Sequence, residues 1–246
     1  MHLIVTRPEP DASIFAARLE GIGCRVTLSP VLETVLSPIA AGALDGAAAL
    51  VATSRNALRA LAASPALERA RRLPLYAVGQ GTAKAAREIG LQTVIEGRSG
   101  AQDLTDLIIS SRHPGDGALV HLAGEKLAFD LAGALGDKGF EVRTVTAYRM
   151  VAAQILTGEA VAAIASGAAS GAVLMSPNSA QVFCALLERH GLVAAARRLD
   201  YFCLSRAVAD ALKPVAPAHV TIADRPDAEE LLALIARKAA QSHRGL

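Results

Sequence analysis

The sequence predicts an α/β protein made of two similar units, each built around a parallel β-sheet. Short apolar runs alternate with longer Ala- and Leu-rich segments of helical period, and this alternation is typical of parallel strands linked by crossover helices. Segments of the first half of the chain also return, in the same order, in the second half. With 246 residues, of which 52% are hydrophobic, the chain is long enough for one large domain or two small ones.

Ten strands are expected, each a short apolar run bounded by turn-forming residues. They cover residues 3–6, 25–28, 49–53, 75–78, 93–95, 118–122, 141–147, 172–175, 201–204 and 220–223. Helices lie between them. The first, residues 11–20, has apolar residues at helical spacing and ends at Gly21 and Gly23. The last, residues 227–240, starts with acidic residues and ends at Arg237 and Lys238, which suits the helix dipole.

Residues 160–187 include no charged side chain, so their composition resembles that of a membrane-spanning helix. Gly167, Gly171 and Pro177 interrupt this stretch, whereas a membrane helix needs about 20 consecutive apolar residues. We therefore expect a helix, a strand and a second helix here, and no association with a membrane.

Three pairs of segments carry the internal repeat. Residues 19–26 match residues 135–142, with Gly23 aligned to Gly139, residues 53–56 match residues 175–178, with Ser54 aligned to Ser176, and residues 97–101 match residues 224–228. The spacing between matched positions grows slowly along the chain, as small loop insertions in a duplicated unit would produce. Chance similarity between Ala-rich helices is the alternative.

Charge and cysteine content exclude several classes of protein. The formal net charge is +2 and no run of Lys or Arg exceeds two residues, so a nucleic-acid-binding surface is not expected. The three cysteines form no C-x-x-C motif and the six histidines are dispersed, so neither a disulfide framework nor a metal site is indicated. The N-terminus lacks the pattern of a signal peptide, and we expect a cytoplasmic protein.

The loops that follow the predicted strands hold the candidate site, because ligands of parallel α/β sheets bind beyond the carboxyl ends of the strands. These loops combine Ser, Thr, Gly and Asn with scattered cations, which suits an anionic ligand. They contain Arg7, Thr53, Ser54, Gly79, Thr82, Gly124, Lys126, Ser176, Asn178, Ser179 and Ser205. The alternative for any one hydroxyl is a helix cap, and for Arg7 a surface cation.

Two further features allow more than one interpretation. Gly79, Gly81 and Glu96 resemble a dinucleotide-binding fingerprint, but Lys84 stands where the third glycine packs the helix against its strand, so a nucleotide-dependent oxidoreductase is disfavoured. Tyr148 ends a predicted long strand, where its phenol could donate a proton. Its alternative role is that of a core or interface tyrosine with its hydroxyl bonded to the backbone.

Taken together, these segments resemble the uroporphyrinogen-III synthase family. The resemblance is carried by residues 5–8 (Val-Thr-Arg-Pro), 52–54 (Ala-Thr-Ser), 77–83, 146–149 (Thr-Ala-Tyr-Arg), 176–179 (Ser-Pro-Asn-Ser) and 223–231. It implies two flavodoxin-like lobes joined by two crossing strands with a cleft between them. Residues 1–36 plus 152–246 would form the first domain, and residues 37–151 the second.

The implied activity is that of a cyclising hydro-lyase of heme and porphyrin biosynthesis. Such an enzyme closes hydroxymethylbilane, with inversion of ring D and loss of water, to uroporphyrinogen III. The resemblance implies no cofactor and no metal. It also implies a monomer, with transient contact to the preceding enzyme of the pathway left open.

The resemblance further implies roles for individual residues. Tyr148 would assist departure of the substrate hydroxyl, and the loop residues named above would bind propionate and acetate groups. The chain departs from the family pattern at Ser205-Arg206-Ala207-Val208 and at Ala123-Gly124-Glu125-Lys126, so the carboxylate contacts there are in doubt. The competing hypothesis of another class is a two-lobed anion-binding or sensor module without catalysis.

Overall fold

The computed structural model describes residues 1–98 and 100–244. The chain forms two compact units. Unit 1 takes the residues up to Glu33 and those from Val151 onward, and unit 2 runs from Thr34 to Met150. Both are α/β units with parallel strand pairs, as predicted from the alternation of strands and helices.

The strands are β1 (His2–Val5), β2 (Arg25–Leu28), β3 (Leu32–Leu36), β4 (Ala47–Ala52), β5 (Leu75–Ala77), β6 (Val94–Glu96), β7 (Ala118–Gly124), β8 (Val142–Ala152), β9 (Gly171–Leu174), β10 (Asp200–Cys203) and β11 (His219–Ile222). The α-helices are α1 (Asp11–Glu20), α2 (Arg55–Ala62), α3 (Leu67–Ala70), α4 (Gln80–Glu88), α5 (Ala101–Ser111), α6 (Leu131–Gly136), α7 (Gly158–Ala165), α8 (Pro177–Arg189), α9 (Val193–Ala196), α10 (Arg206–Asp210) and α11 (Ala228–Arg244). Short 3₁₀ helices cover Ala41–Leu44 and Pro114–Asp116.

In unit 1, the sheet order over the described residues is β11-β10-β9-β1-β2, with every neighbouring pair parallel. All four residues of β1 are buried, as expected for a strand covered on both faces. Leu3 and Val5 pack in one cluster with Phe15 and Leu19 of α1, whose four-residue spacing puts them on one helix face. The carboxyl end of β1 is thereby held in the middle of the sheet.

In unit 2, the sheet order over the described residues is β3-β8-β7-β4-β5-β6. The central strands alternate between two apolar layers: Leu50 and Val120 belong to one cluster, and Val51 and Leu119 to the other. Helices cover both layers, because α2 and α4 contribute to the first, and α5 and α6 to the second. The carboxyl ends of β4 and β7 therefore lie side by side at the centre of the sheet.

The two sheets share one strand order. Written as β2-β1-β9-β10-β11 and β8-β7-β4-β5-β6, they match strand for strand, with β3 as an extra edge strand in unit 2. The repeated segments lie on the matched strands: residues 19–26 lead into β2 and residues 135–142 into β8, while residues 53–56 follow β4 and residues 175–178 follow β9. The sequence repeat thus has a topological counterpart, in which each half of the chain supplies strands to both units.

The structure corrects three of the predicted elements. β3 is not among the ten predicted strands; prolines at positions 30 and 38 flank it, and Leu32 alone of its five residues is buried. β8 continues to Ala152, so Tyr148 lies within that strand and not at its end. α11 continues to Arg244, so Arg237 and Lys238 lie inside the helix and not in its last turn.

Other predicted elements are confirmed. α1 has the predicted bounds, and the charge-free stretch forms α7, β9 and α8 in series. Within residues 1–98 and 100–244, no helix combines the length and the apolar character needed to cross a membrane.

Candidate functional site

In unit 1, three predicted site loops follow three neighbouring strands. Arg7 lies after β1, Ser176 after β9 and Ser205 after β10, and β9 lies between β1 and β10. β2 is on one side of β1 and β9 on the other, so the chain changes direction across the sheet between β1 and β9. Ligands of open α/β sheets bind at such a point. The structure therefore gathers these loops at the edge where an anion site was expected.

The guanidinium of Arg7 is engaged within its own unit. It forms an ion pair with Asp11 at 3.0 Å, and a second nitrogen lies 3.1 Å from the sulfur of Met175, which follows β9. Thr6 joins the same two strands, because its hydroxyl donates to the carbonyl of Val173 at 2.9 Å. Arg7 thus reaches the β9 loop with most of its charge compensated by Asp11.

Ser176 is the N-cap of α8. Its Oγ accepts from the backbone N–H of Ser179 at 3.1 Å and lies 2.8 Å from the Ser179 Oγ. Ser179 is buried, and Asn178 is exposed at the first turn of the helix. Capping, the alternative considered for these hydroxyls, is therefore one role that Ser176 fills.

Ser205 stands at the N-cap of α10, but its side chain makes no capping hydrogen bond with the described part of the chain. Arg206, beside it, is exposed and lies 3.6 Å from Asp210. The loop that departs from the family pattern thus presents a half-buried serine hydroxyl that does not serve the helix.

In unit 2, the predicted loops follow β4, β5 and β7. Ser54 caps α2 by accepting from the N–H of Asn56 at 3.2 Å. Gly79 precedes α4, and Thr82 is buried in the first turn of that helix. Lys126 is exposed after β7. The backbone N–H groups that open α2 and α4 lie at the carboxyl ends of β4 and β5, where a carboxylate can accept from them.

Gly124 and Tyr148 face each other across β7 and β8. They are register partners next to a bulge in the pairing. A Cβ atom placed on Gly124 would lie 2.8 Å from Cζ and 3.0 Å from the hydroxyl oxygen of Tyr148, so only glycine leaves room for the ring. The half-buried ring packs against the cluster that contains Val120 and Ala147. Among the described residues, its hydroxyl has no hydrogen-bond partner.

His121, one of the six dispersed histidines, lies at this site and was not among the predicted site residues. It is 2% exposed on the central strand β7, and its Nε2 is 3.4 Å from the Oγ1 of Thr53, which follows β4. Its Nδ1 is buried without a partner among the described residues. Burial lowers the pKa of His121 to about 4. A histidine inside an otherwise apolar strand was the signal that could have identified it.

Lys84 does not collide with the preceding strand or point its charge inward, as its place in the dinucleotide fingerprint had suggested. Lys84 is 77% exposed and lies 3.9 Å from Glu88, so its charge points outward and does not meet the strand. The remaining features still disagree with the fingerprint. A Cβ atom on Gly79 or Gly81 would come no closer than 3.9 Å to a described neighbour, and Glu96 pairs with Arg87 at 3.7 Å. No described part of the chain therefore approaches Gly79 or Gly81 so closely that glycine is required there.

Within the part of the chain that the structure describes, no three His, Cys, Asp or Glu side chains lie close enough together to hold a metal ion. The donor set at the strand ends is one of hydroxyls, backbone N–H groups and cations, which is suited to anions.

Comparison with solved structures agrees with this fold. The uroporphyrinogen-III synthetase from Helicobacter pylori aligns with a TM-score of 0.66 at 17% identity, over 95% of this chain and 97% of that chain. A mutant uroporphyrinogen III synthase from the extremely thermophilic bacterium Thermus thermophilus aligns with a TM-score of 0.55 at 20% identity, over 98% of this chain and 99% of that chain. At such identities the likeness establishes the fold alone.

The family is established by sequence. No curated protein matches the chain. The sequence model of the family described as uroporphyrinogen-III synthase HemD, however, matches residues 13–233, which is most of the chain. This match confirms the resemblance seen in the strand-end motifs, and the chain belongs to the uroporphyrinogen-III synthase HemD family, whose members are cyclising lyases of heme biosynthesis.

Proposed function

We propose that this enzyme takes hydroxymethylbilane as its substrate and binds the carboxylates of that linear tetrapyrrole at the carboxyl ends of its strands. The observation that carries the proposal is that hydroxyls and backbone N–H groups accumulate at helix starts along this edge of each sheet. Both kinds of group donate to carboxylates, and the positive ends of the helices add to the attraction. The donors we assign to carboxylates are Thr53, Ser54, Gly79, Thr82 and Gly124 in unit 2, and Ser176, Asn178, Ser179 and Ser205 in unit 1.

Two cations complete the proposed set. Lys126 is exposed after β7, where its long side chain can extend toward an anion. Arg7 is held by Asp11, so it contributes a fixed guanidinium beside the β9 loop and little net charge. We therefore assign to Lys126 the larger share of charge neutralisation.

Tyr148 is the proposed proton donor. As the C–O bond of the terminal hydroxymethyl group breaks, the phenol gives its proton to the departing oxygen and water leaves. The resulting azafulvene cation is attacked by the substituted carbon of ring D, and the spiro intermediate reopens to give the inverted ring. The proton lost on closing the macrocycle restores the phenol. A hydroxyl without a partner among the described residues and a ring held against Gly124 support this role.

The chemistry requires little beyond this proton and a shape that holds the spiro geometry. Fixed donors around the carboxylates orient the four rings, and a preorganised polar surface stabilises the delocalised charge of the azafulvene cation. The loops that provide these contacts are anchored on buried central strands, which keeps them in place.

The decisive experiment incubates the protein with hydroxymethylbilane generated in place, then oxidises the products and separates type I from type III uroporphyrins. Spontaneous closure gives type I, so a sample without protein is the reference. Predominant type III is the expected result. If folded protein yields type I only, the synthase function fails for this chain, and binding of the bilane without turnover would then indicate the anion-binding module.

We further propose that the enzyme is a monomer of the cytoplasm, with at most transient contact to the preceding pathway enzyme. The three cysteines are buried free thiols, which accords with a reducing compartment. Light scattering at micromolar concentrations tests the monomer, with a mass of 25.3 kDa expected.

A further inference from the structure

His121 interrupts an apolar layer at the point where the proposed site begins. It is the register partner of Val51, and Leu119 and Val51 on the same layer are fully buried. Thr53 follows two positions after Val51, so its side chain leaves the same face of the sheet. The imidazole therefore lies between the hydrophobic core and the threonine hydroxyl at the strand end.

A buried imidazole in this position costs free energy unless its ring nitrogens are hydrogen-bonded. The Nε2 atom is 3.4 Å from Thr53 Oγ1, and the Nδ1 atom has no partner among the described residues. Because burial lowers the pKa of His121 to about 4, the ring is neutral near pH 7 and carries one proton. That proton is on either Nδ1 or Nε2.

The two tautomers are not equivalent here. A proton on Nδ1 would be a buried donor without an acceptor, which is rare in proteins, whereas a bare Nδ1 leaves only a lone pair without a partner. With the proton on Nε2, His121 donates to Thr53 Oγ1. The threonine then has no need to donate to the ring, and its own O–H proton can point toward a ligand.

We infer that His121 is a positioning residue that orients the Thr53 hydroxyl as a donor to a carboxylate of the substrate. The inference rests on the proposed function, in which Thr53 binds such a carboxylate. His121 itself does not touch the substrate. Its contribution is to fix the direction of one donor in the free enzyme, which lowers the cost of ordering that donor on binding.

The test is a double-mutant cycle on Thr53→Val and His121→Leu, with His121→Gln as the conservative variant. Initial rates of uroporphyrinogen III formation give kcat and KM for each protein. We expect Thr53→Val, which removes the donor, and His121→Leu, which leaves the direction of that donor unfixed, each to raise KM by up to about tenfold with kcat little changed. The double variant should show no further increase. Glutamine can donate to Thr53 through its amide, so His121→Gln should keep KM within about threefold of the wild type.

The alternatives give different results. If His121 only supports the fold, His121→Leu lowers the melting temperature and the amount of active enzyme without changing KM, which overturns the inference. KM effects that multiply in the double variant also overturn it. If Thr53→Val leaves KM unchanged, the carboxylate contact and the inference both fail, while type III formation by the wild type still establishes the reaction. Should His121→Leu not fold, His121→Met replaces it in the cycle.

Discussion

Tyr148 is the residue on which the proposed chemistry depends most directly. Removing its hydroxyl in Tyr148→Phe takes away the proposed proton donor and leaves the ring that packs beside Gly124. We expect kcat to fall by about 10- to 100-fold. The upper figure equals the smallest rate enhancement that a general acid typically supplies, about 100-fold. KM should change little and the melting temperature should stay near that of the wild type. The measurement is the initial rate of type III product with hydroxymethylbilane in excess.

Tyr76→Phe is the matched control for this variant. It removes a phenol from the same unit, where the Tyr76 hydroxyl lies 3.0 Å from Ser111 Oγ in the buried layer beneath α5. We expect it to cost about 1 kcal/mol of stability and to leave turnover unchanged. Equal turnover of Tyr148→Phe and the wild type would remove Tyr148 from the mechanism.

Gly124 offers a second route to Tyr148 that leaves the phenol in the chain. In Gly124→Ala, the new Cβ atom meets the ring at 2.8 Å, closer than real contacts allow, so the ring must turn away. We expect kcat to fall by at least about tenfold, because a displaced proton donor loses its alignment. Gly136→Ala, where no described atom lies within 4 Å of the added one, is the control for an added methyl group. Full activity of Gly124→Ala would indicate that the ring position is not critical.

These residues differ in how far the sequence could predict them. Thr53, Ser54 and Ser176 were identifiable because strand ends and caps are local features. The contact of Gly124 with Tyr148 was not, because it depends on a register shift between β7 and β8. His121 was missed because its significance comes from Thr53 on another strand.

At the level of helices, the loops after β9 and β10 allow capping to be separated from ligand binding. Ser176 caps α8 through its side chain, whereas Ser205 stands at the N-cap of α10 without a capping bond to any described residue. Ser176→Ala should therefore lower the free energy of unfolding by about 1 kcal/mol, and Ser205→Ala by a few tenths at most. Urea unfolding followed by circular dichroism measures both.

The same pair of variants tests the proposed contacts. If Ser205 binds a substrate carboxylate, Ser205→Ala raises KM with no loss of stability. Two results would contradict these contacts: both variants change stability but not KM, or Ser205→Ala changes neither KM nor stability. In either case the serines of these two loops do not bind the substrate, and the set of donors assigned to unit 1 is too large.

Among the strands, the prediction was least successful where burial is partial. The central strand β4 is a continuous apolar run, β7 is one apart from His121, and the sequence predicted both. β3 has a single buried residue, Leu32, and stands between two prolines, as an edge strand can, so its five residues resemble a loop. β8 was predicted too short for a similar reason, since most of its residues are only partly buried and polar residues interrupt it.

For the whole molecule, the matched sheet orders explain why the site loops occur at equivalent places. The direction of the chain changes between β1 and β9 in unit 1, and between β7 and β4 in unit 2. Ser176 follows β9 and Ser54 follows β4, and both cap the next helix. The sequence repeat could predict this equivalence, because the aligned serines precede helices of both halves. It could not show that each half supplies strands to both units, since that depends on pairing between distant segments.

Among the residues whose burial the structure describes, each unit also holds one buried histidine whose neutral form the fold favours. Burial, with Arg25 nearby, lowers the pKa of His2 in unit 1, and burial lowers that of His121 in unit 2 to about 4. In the unfolded chain both histidines take up a proton near pH 6.5. The unfolded state therefore binds more protons below that pH, and stability falls as the pH decreases.

We expect the loss from His121 to begin near pH 6.5, to reach roughly 3 kcal/mol and to level off below about pH 4. Urea unfolding of the wild type and of His121→Gln at pH 7.5, 6 and 5 measures it. Because glutamine does not titrate, the variant should lose less stability than the wild type over this range, whatever its stability at pH 7.5. If the unfolding curves of the two proteins shift equally with pH, His121 has the same pKa in the folded and the unfolded chain. The conclusion that His121 is neutral in the folded protein over this pH range would then be wrong.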